Sequence, residues 1–229
     1  MIIKFARIDS AIDIDAEKVT VLEVGDRKLF ARVVASLLSE LGDQAVEPYH
    51  LFIGERAVSP KGKLLFLNDL PNLPIKERAF EKLLYERVAH DLFEAPGMEQ
   101  DAERIEALGG LLEEELTRRE FGLWGRYGFD VHWELMTYLK AFGFGVRCDD
   151  TDSFLERCIK FFGLCVDIGY SKPLVAVNLK SFLDENDLRE LYEQAFFHGI
   201  SLVLLESWRD ATAYSNERKI CLELGLFEK

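Results

Sequence analysis

The chain has 229 residues, of which 48% are hydrophobic, enough for one large domain or two modest ones with packed cores. No apolar run approaches the ~20 residues that a membrane-spanning helix needs, and the N-terminus lacks the apolar core of a secretion signal, which predicts a cytoplasmic protein with no membrane partner. The 41 acidic against 28 basic residues give a net charge of −13, which normally argues against nucleic acid as a partner.

Short strands and one helix alternate in the first third of the chain. Residues 2–6 and 12–14 are typical of an edge hairpin, and residues 19–24 form an apolar run that predicts a strand. The apolar periodicity of residues 28–41 predicts an amphipathic helix, and residues 63–67 predict a further strand. This order is the opening of a doubly wound α/β sheet.

The middle of the chain is helical and strongly charged. Residues 75–93 and 101–121 predict two long helices separated by Ala95-Pro96-Gly97, and residues 131–142 predict a third. A helix over residues 153–162 then returns the chain to the sheet. The pattern indicates a helical segment inserted into an α/β domain.

A complete β-α-β crossover follows toward the C-terminus. Residues 174–177 and 201–205 are apolar runs typical of buried parallel strands. The helix between them begins at Asp184, a residue suited to capping, and ends at Gly199. A last strand is predicted over residues 219–224.

The first strand-to-helix turn carries no phosphate loop. Such a loop needs several glycines and a lysine followed by serine or threonine, whereas this turn has Gly25 followed by Asp26. Because an aspartate there would repel phosphate, nucleotide hydrolysis is not expected.

Carboxylates are the remaining candidates for catalysis. Asp69, Glu206 and Asp210 follow predicted strands and would meet at the carboxyl edge of the sheet, as the ligands of metal-dependent nucleases do. Caps and turn residues have the same signature. Asp130 and Glu134 are four residues apart, so in a helix they would share one face and could hold calcium; a solvated helix start capped by Asp130 fits the spacing equally well.

Residues 118–147 are locally basic, with five basic residues against three acidic ones. If DNA is bound, this stretch is the natural place to look, because lysine and arginine contact phosphates. The candidates are Arg118, Arg119, Arg126, Lys140 and Arg147.

The block over residues 178–207 resembles a known family. Its strand end at Asn178, the sequence Leu179-Lys180-Ser181-Phe182-Leu183, the acid-capped helix and the strand closing as Leu204-Leu205-Glu206-Ser207 are similar to the small DNA-end-binding accessory protein of type II-A CRISPR adaptation. The strand 19–23, the helix 30–34 and the helix end 139–143 occur in the family's order. The chain is identified as a divergent member.

The resemblance implies a fold and a function. The fold would be an α/β, P-loop-NTPase-like head lacking the nucleotide loop, made of residues 1–70 and 152–229, with an α-helical leg inserted at 71–151. The protein would be non-catalytic and would bind double-stranded DNA ends without sequence specificity as a homotetrameric ring during spacer acquisition. Calcium would stabilise the ring, and the spacer integrase and effector nuclease of the locus would be its partners.

Two other functions are open on the residues alone. One is a metal-dependent nuclease or hydrolase that uses Asp69, Glu206 and Asp210. The other is a DNA-free scaffold that binds only proteins through its helical segment.

Overall fold

The computed structural model describes residues 1–8, 10–119, 124–125, 128–129 and 132–223. The chain divides into two compact units. Met1–Pro74 and Cys148–Lys229 together form the first, here called the sheet unit. Ile75–Arg147 forms the second, here called the helical unit.

A five-stranded parallel sheet forms the centre of the sheet unit. Its strands, in spatial order, are β6 (Leu65–Leu67), β7 (Leu174–Val177), β8 (Leu202–Glu206), β3 (Val19–Glu23) and β9 (Glu217–Cys221). Every residue of β3 and β8 is buried, which is the pattern of a parallel strand covered on both faces. The predicted strands are thus confirmed, although the last begins two residues earlier than expected.

The N-terminal hairpin belongs to a second sheet, not to the edge of the first. This antiparallel sheet has the order β2-β1-β4-β5, with β1 at Ile2–Phe5, β2 at Ala11–Asp13, β4 at Tyr49–Ile53 and β5 at Arg56–Val58. β4 takes the open side of β1 and holds the hairpin in a sheet of its own. The sequence reading missed β4 and β5.

Three capped helices pack with the parallel sheet. They are α1 (Arg27–Ser39), α5 (Phe154–Asp167) and α6 (Glu185–Phe197). The carboxylate of Asp184 accepts hydrogen bonds from the first-turn amides of α6, as predicted, and Ser153 forms a reciprocal capping box with Glu156 at α5. A parallel sheet and an antiparallel sheet, combined with helices, confirm the predicted α/β class.

The helical unit contains α2 (Arg78–Phe93), α3 (Glu99–Arg118) and α4 (Leu135–Ala141) around a small apolar core. The helix predicted over residues 131–142 was wrong at its start, since Glu134 has an extended backbone. The Glu113 carboxylate of α3 accepts the Trp133 N–H at 3.1 Å and contacts His132, which holds this stretch against α3. Among the described residues no helix is long and apolar enough to cross a membrane.

Candidate functional sites: a buried charge cluster and a cationic groove

The turn after β7 carries a buried lysine. Asn178 adopts a left-handed conformation, φ 53°, which asparagine tolerates better than most residues, and its side-chain oxygen accepts the Ser207 N–H at 2.9 Å. The chain then enters a short 3₁₀ helix, Leu179–Phe182. This geometry turns the Lys180 side chain inward, where only 1% of it is exposed.

Two carboxylates and one ring surround the Lys180 ammonium. Its Nζ lies 3.0 Å from Asp210 Oδ2 and 3.0 Å from Glu217 Oε2, and 5.3 Å from the centre of the Tyr214 ring. Burial acts to lower the pKa of Lys180, but the hydrogen bonds to Glu217 and Asp210 outweigh it and the pKa is raised. Lys180 therefore stays charged inside the protein.

Glu206, at the end of β8, has no such partner. Its Oε1 accepts the backbone N–H of Lys180 at 3.1 Å, while its buried Oε2 has no hydrogen-bond partner among the described residues. Burial raises the pKa of the Glu206 carboxyl to about 7, against the opposing effect of the Lys180 N–H.

A second lysine completes this buried charge cluster, which consists of Glu23, Lys180, Glu206, Asp210, Glu217 and Lys219. Lys219 Nζ lies 3.3 Å from Glu217 Oε1 and 3.8 Å from Glu23 Oε1, and donates to the Asp210 carbonyl at 2.6 Å. Glu23 Oε1 accepts the Asp210 N–H at 2.9 Å. The cluster thereby ties the segment after β8 to the ends or faces of four strands.

A groove with three cations runs along the helical unit. Arg78 and Lys82 of α2 and Lys140 of α4 line it, together with Glu81, Tyr85, Glu134, Met136 and Thr137, around a volume of about 420 Å³. Arg78 and Lys140 are exposed and form no ion pair with any described residue. Lys82 has a loose contact of 3.4 Å with Glu86. We call this surface the cationic groove.

A family model described as "CRISPR-associated protein (Cas_Csn2)" matches residues 51–218, which is more than half of the chain. The chain belongs to this family. It is therefore a CRISPR-associated protein of type II-A adaptation, and the resemblance seen in the sequence is confirmed.

One solved structure supports the fold of this Cas_Csn2 member. "Stu0660 of Streptococcus thermophilus" superposes with a TM-score of 0.53 over 98% of this chain and 76% of that one. Identity is only 12%, so this likeness concerns the fold alone. No curated protein sequence matches the chain.

The three carboxylates considered for metal-dependent hydrolysis do not form a site in this Cas_Csn2 protein. Asp69 follows the edge strand β6 and accepts hydrogen bonds from the backbone and side chain of Asn72, as a turn residue does. Asp210 contacts the Lys180 ammonium, which also pairs with Glu217, whereas Glu206 accepts the backbone N–H of Lys180. Within the described ranges no three acidic, histidine or cysteine side chains are arranged to hold a metal ion.

The turn that would carry a phosphate loop is occupied by the protein's own groups. Asp26 Oδ1 accepts the Leu29 N–H at 2.7 Å and caps α1. The Arg209 side chain, which pairs with Glu223, lies beside Gly25. A carboxylate thus satisfies the helix N-terminus that binds phosphate in nucleotide-binding relatives of such folds.

The predicted calcium pair loses its helical argument. Glu134 is extended and its carboxylate accepts the Thr137 hydroxyl, so Glu134 itself precedes the helix α4 and does not lie within it. Asp130 lies outside the described residues. The pair stays a prediction that depends on the family resemblance.

The predicted DNA contacts differ in how available their charges are. Arg118 is paired with Glu114 and Glu115 on its own helix, whereas Arg119 and Arg147 are exposed and have no ion pair with the described residues. Arg126 lies outside the described residues. Only Lys140 lies in the cationic groove.

Sequence reasoning missed Arg78 and Lys82 of the groove and Lys180, Glu217 and Lys219 of the cluster. The groove had a weak signal in Arg78 and Lys82, because two like charges four apart destabilise a helix and therefore stand out in its sequence. The buried charge cluster had no comparable signal in the sequence, where its members are single charged residues beside apolar runs.

Proposed function

We propose that this protein binds the ends of double-stranded DNA during spacer acquisition, without sequence preference and without catalysing a reaction. The Cas_Csn2 match over residues 51–218 carries the proposal, because it spans parts of both compact units. Four copies would form a ring in the cytoplasm, working with the spacer integrase and effector nuclease of the locus.

The chemistry of the sheet unit supports a non-catalytic role. Lysines neutralise Asp210 and Glu217, and Asp26 is used as a helix cap. A nucleophile, a general base or a nucleotide site would need such groups free to act. These carboxylates are instead committed to holding the fold together.

The cationic groove supports a DNA role for the helical unit. Arg78 and Lys140 present charges that no described carboxylate neutralises, in a unit whose sequence is acidic overall. Only the surface that meets DNA has to be positive, since an acidic exterior favours solubility and discourages contacts elsewhere. With Arg119 and Arg147, these residues are the proposed phosphate contacts.

Calcium would act in assembly rather than in chemistry. Oxygen ligands are what calcium prefers, and the Glu134 carboxylate, with Asp130, is the proposed source. The Glu134 side chain lies at the edge of the cationic groove, so a bound cation there would also offset its repulsion of DNA.

The decisive experiment is a gel-shift competition between linear and covalently closed double-stranded DNA of the same sequence. It is run at one fixed salt concentration because phosphate binding depends steeply on salt. Calcium is present in one series and a chelator in the other. In the series with calcium we expect linear DNA to be a better competitor than covalently closed DNA. In the series with chelator we expect this preference to disappear.

Other outcomes would overturn parts of the proposal. Equal competition by both DNA forms would indicate an open surface groove instead of a ring. Cleavage of the DNA with magnesium or manganese would restore the nuclease alternative. Absence of binding would favour the scaffold that contacts only proteins.

A further inference from the structure

Glu206 is the least compensated member of the buried charge cluster. The Lys180 ammonium is directed to Asp210 and Glu217, at 3.0 Å each. Glu206 receives backbone N–H groups of the turn, from Lys180 and Leu179, and forms no ion pair with a described residue; its Oε2 is buried without a partner of ordinary hydrogen-bond geometry in the part of the chain that the structure describes. An ionised carboxylate in this position would lose hydration and would have to share the Lys180 ammonium with Asp210 and Glu217.

The surroundings of Glu206 are negative overall. The titratable groups come from five places: Glu23 on β3, Lys180 after β7, Tyr192 on α6, Asp210 and Tyr214 after β8, and Glu217 and Lys219 on β9. With Glu206 included, four carboxylates face two ammonium groups. A bound proton on one carboxyl reduces this excess, since like charges at short range disfavour ionisation.

We propose that Glu206 carries a proton in the folded protein and acts as a pH-sensitive latch between the turn after β7 and the segment after β8. In the acid form, Glu206 leaves the Lys180 ammonium to Asp210 and Glu217. In the ionised form it is a third anion competing for that ammonium. Asp210 then holds its segment less firmly, including the Thr212 N–H that it accepts at 2.8 Å.

The latch is independent of the DNA-binding proposal. It depends on the position of a proton inside the sheet unit, and the pKa of Glu206 at about 7 agrees with the geometry. A rise of pH through neutrality would loosen this junction whether or not the protein binds DNA.

The first test follows the carboxyl carbons of a protein labelled with ¹³C-glutamate by NMR during a pH titration. We expect one glutamate carboxyl with a midpoint near 7, and E206Q should lack that signal. If every glutamate carboxyl titrates below about pH 5.5, where ordinary glutamates do, the proposal is wrong. The titration of the unaltered protein decides the matter even if E206Q fails to fold.

The second test compares urea unfolding at about pH 6 and about pH 8.5, both well above the isoelectric point of 4.9. A carboxyl whose pKa is higher in the folded than in the unfolded chain stabilises the fold most at low pH, and this contribution is lost as pH rises through about 7. Relative to E206Q, the unaltered protein should lose about 10-fold in its folding equilibrium constant over this range.

Glu190 supplies the matched control for the second test. It is an exposed glutamate on α6, so E190Q should retain the pH dependence of the unaltered protein. Equal pH dependence in E206Q and the unaltered protein would overturn the latch.

Discussion

At the scale of single residues, Lys180 lies at the centre of the buried charge cluster. Its aliphatic part and ammonium are buried, and three acidic groups approach it through side-chain or backbone contacts. Burying charges is costly unless each is paired, so the cluster is stable only as a set. Removing one member therefore leaves an oppositely charged neighbour buried without a counter-ion.

Lys180→Met keeps most of the unbranched side chain and removes the ammonium and its charge. We expect a loss of about 3–5 kcal/mol in the free energy of unfolding, because Asp210 and Glu217 lose a buried counter-ion. Urea denaturation followed by circular dichroism measures it. Lys28→Met, at an exposed position of α1, is the control and should change stability by less than about 0.5 kcal/mol. Equal effects of the two variants would contradict the role given to Lys180.

Alanine substitutions at two neighbouring glycines of α3 should change stability in opposite directions. A Cβ on Gly109 would lie 2.1 Å from the Trp133 ring, so Gly109→Ala should destabilise the helical unit by about 1–3 kcal/mol. A Cβ on Gly110 would meet nothing within 4 Å, so Gly110→Ala should stabilise the helix by about 0.5–1 kcal/mol. Thermal unfolding of the two variants compares them directly. The same sign for both would show that Trp133 does not pack on Gly109.

At the scale of elements, the caps fix where the helices begin. Asp184 accepts the Asn186 and Asp187 amides at 2.8 and 2.9 Å, which satisfies two donors that α6 cannot satisfy itself. α6 contributes buried Leu188, Leu191 and Tyr192 to the core. Because Tyr192 lies beside the charge cluster, the cap that fixes the start of α6 also helps to position this ring.

Asp184→Ala should lower the free energy of unfolding by about 1 kcal/mol, since it removes the side-chain acceptor of the α6 N-terminus. Asp184→Asn keeps an acceptor and should change little. Hydrogen exchange of the α6 first-turn amides is the more local measurement. Unchanged exchange in the alanine variant would mean that the cap does not stabilise this turn.

The elements that the sequence predicted correctly are those whose signals are local. The C-terminal crossover carries its apolar strands, the Asp184 cap and the Gly199 stop within one stretch, so no distant residue was needed to recognise it. β4 has a buried Tyr49 and Leu51 on either side of an exposed His50, but only five residues to show that alternation. Its existence depends on pairing with β1, over 40 residues earlier.

Where the prediction was wrong, a tertiary contact overrode a local preference. Residues 132–134 continue a helical pattern, yet Glu113 of α3 binds His132 and Trp133, and Glu134 has an extended backbone. The buried charge cluster is a similar case, because Lys180 and Glu217 are 37 residues apart and neither has a neighbour in sequence that indicates the other. Pairings of this kind depend on the fold and could not be predicted from spacing.

At the scale of the whole molecule, the balance of charge determines where DNA can lie. A net charge of −13 repels phosphate everywhere except where cations are concentrated and unpaired. Arg78 and Lys140 of the cationic groove meet that description, whereas Arg118 is already neutralised by Glu114 and Glu115.

The double variant Arg78→Glu/Lys140→Glu should weaken DNA binding and reduce the slope of log affinity against log salt by about 2 per protomer in contact. Fluorescence anisotropy with one duplex at several salt concentrations gives both quantities. Arg118→Ala, with its charge already paired, should leave the slope nearly unchanged. Unchanged binding by the double variant would exclude the groove as a DNA contact.

The order of strands in the parallel sheet also constrains how the protein is made. Strand β3 lies between β8 and β9, and among the described residues these are its two partners: Thr20 lies beside Val203 and Arg218. A ribosome therefore finishes β3, which ends at Glu23, about 180 codons before it reaches Leu202, the start of β8, and α1 emerges with no sheet to pack on. The antiparallel sheet and the helices of residues 75–147 are available much earlier, so on the ribosome the nascent chain has to shield an apolar strand until synthesis is almost complete.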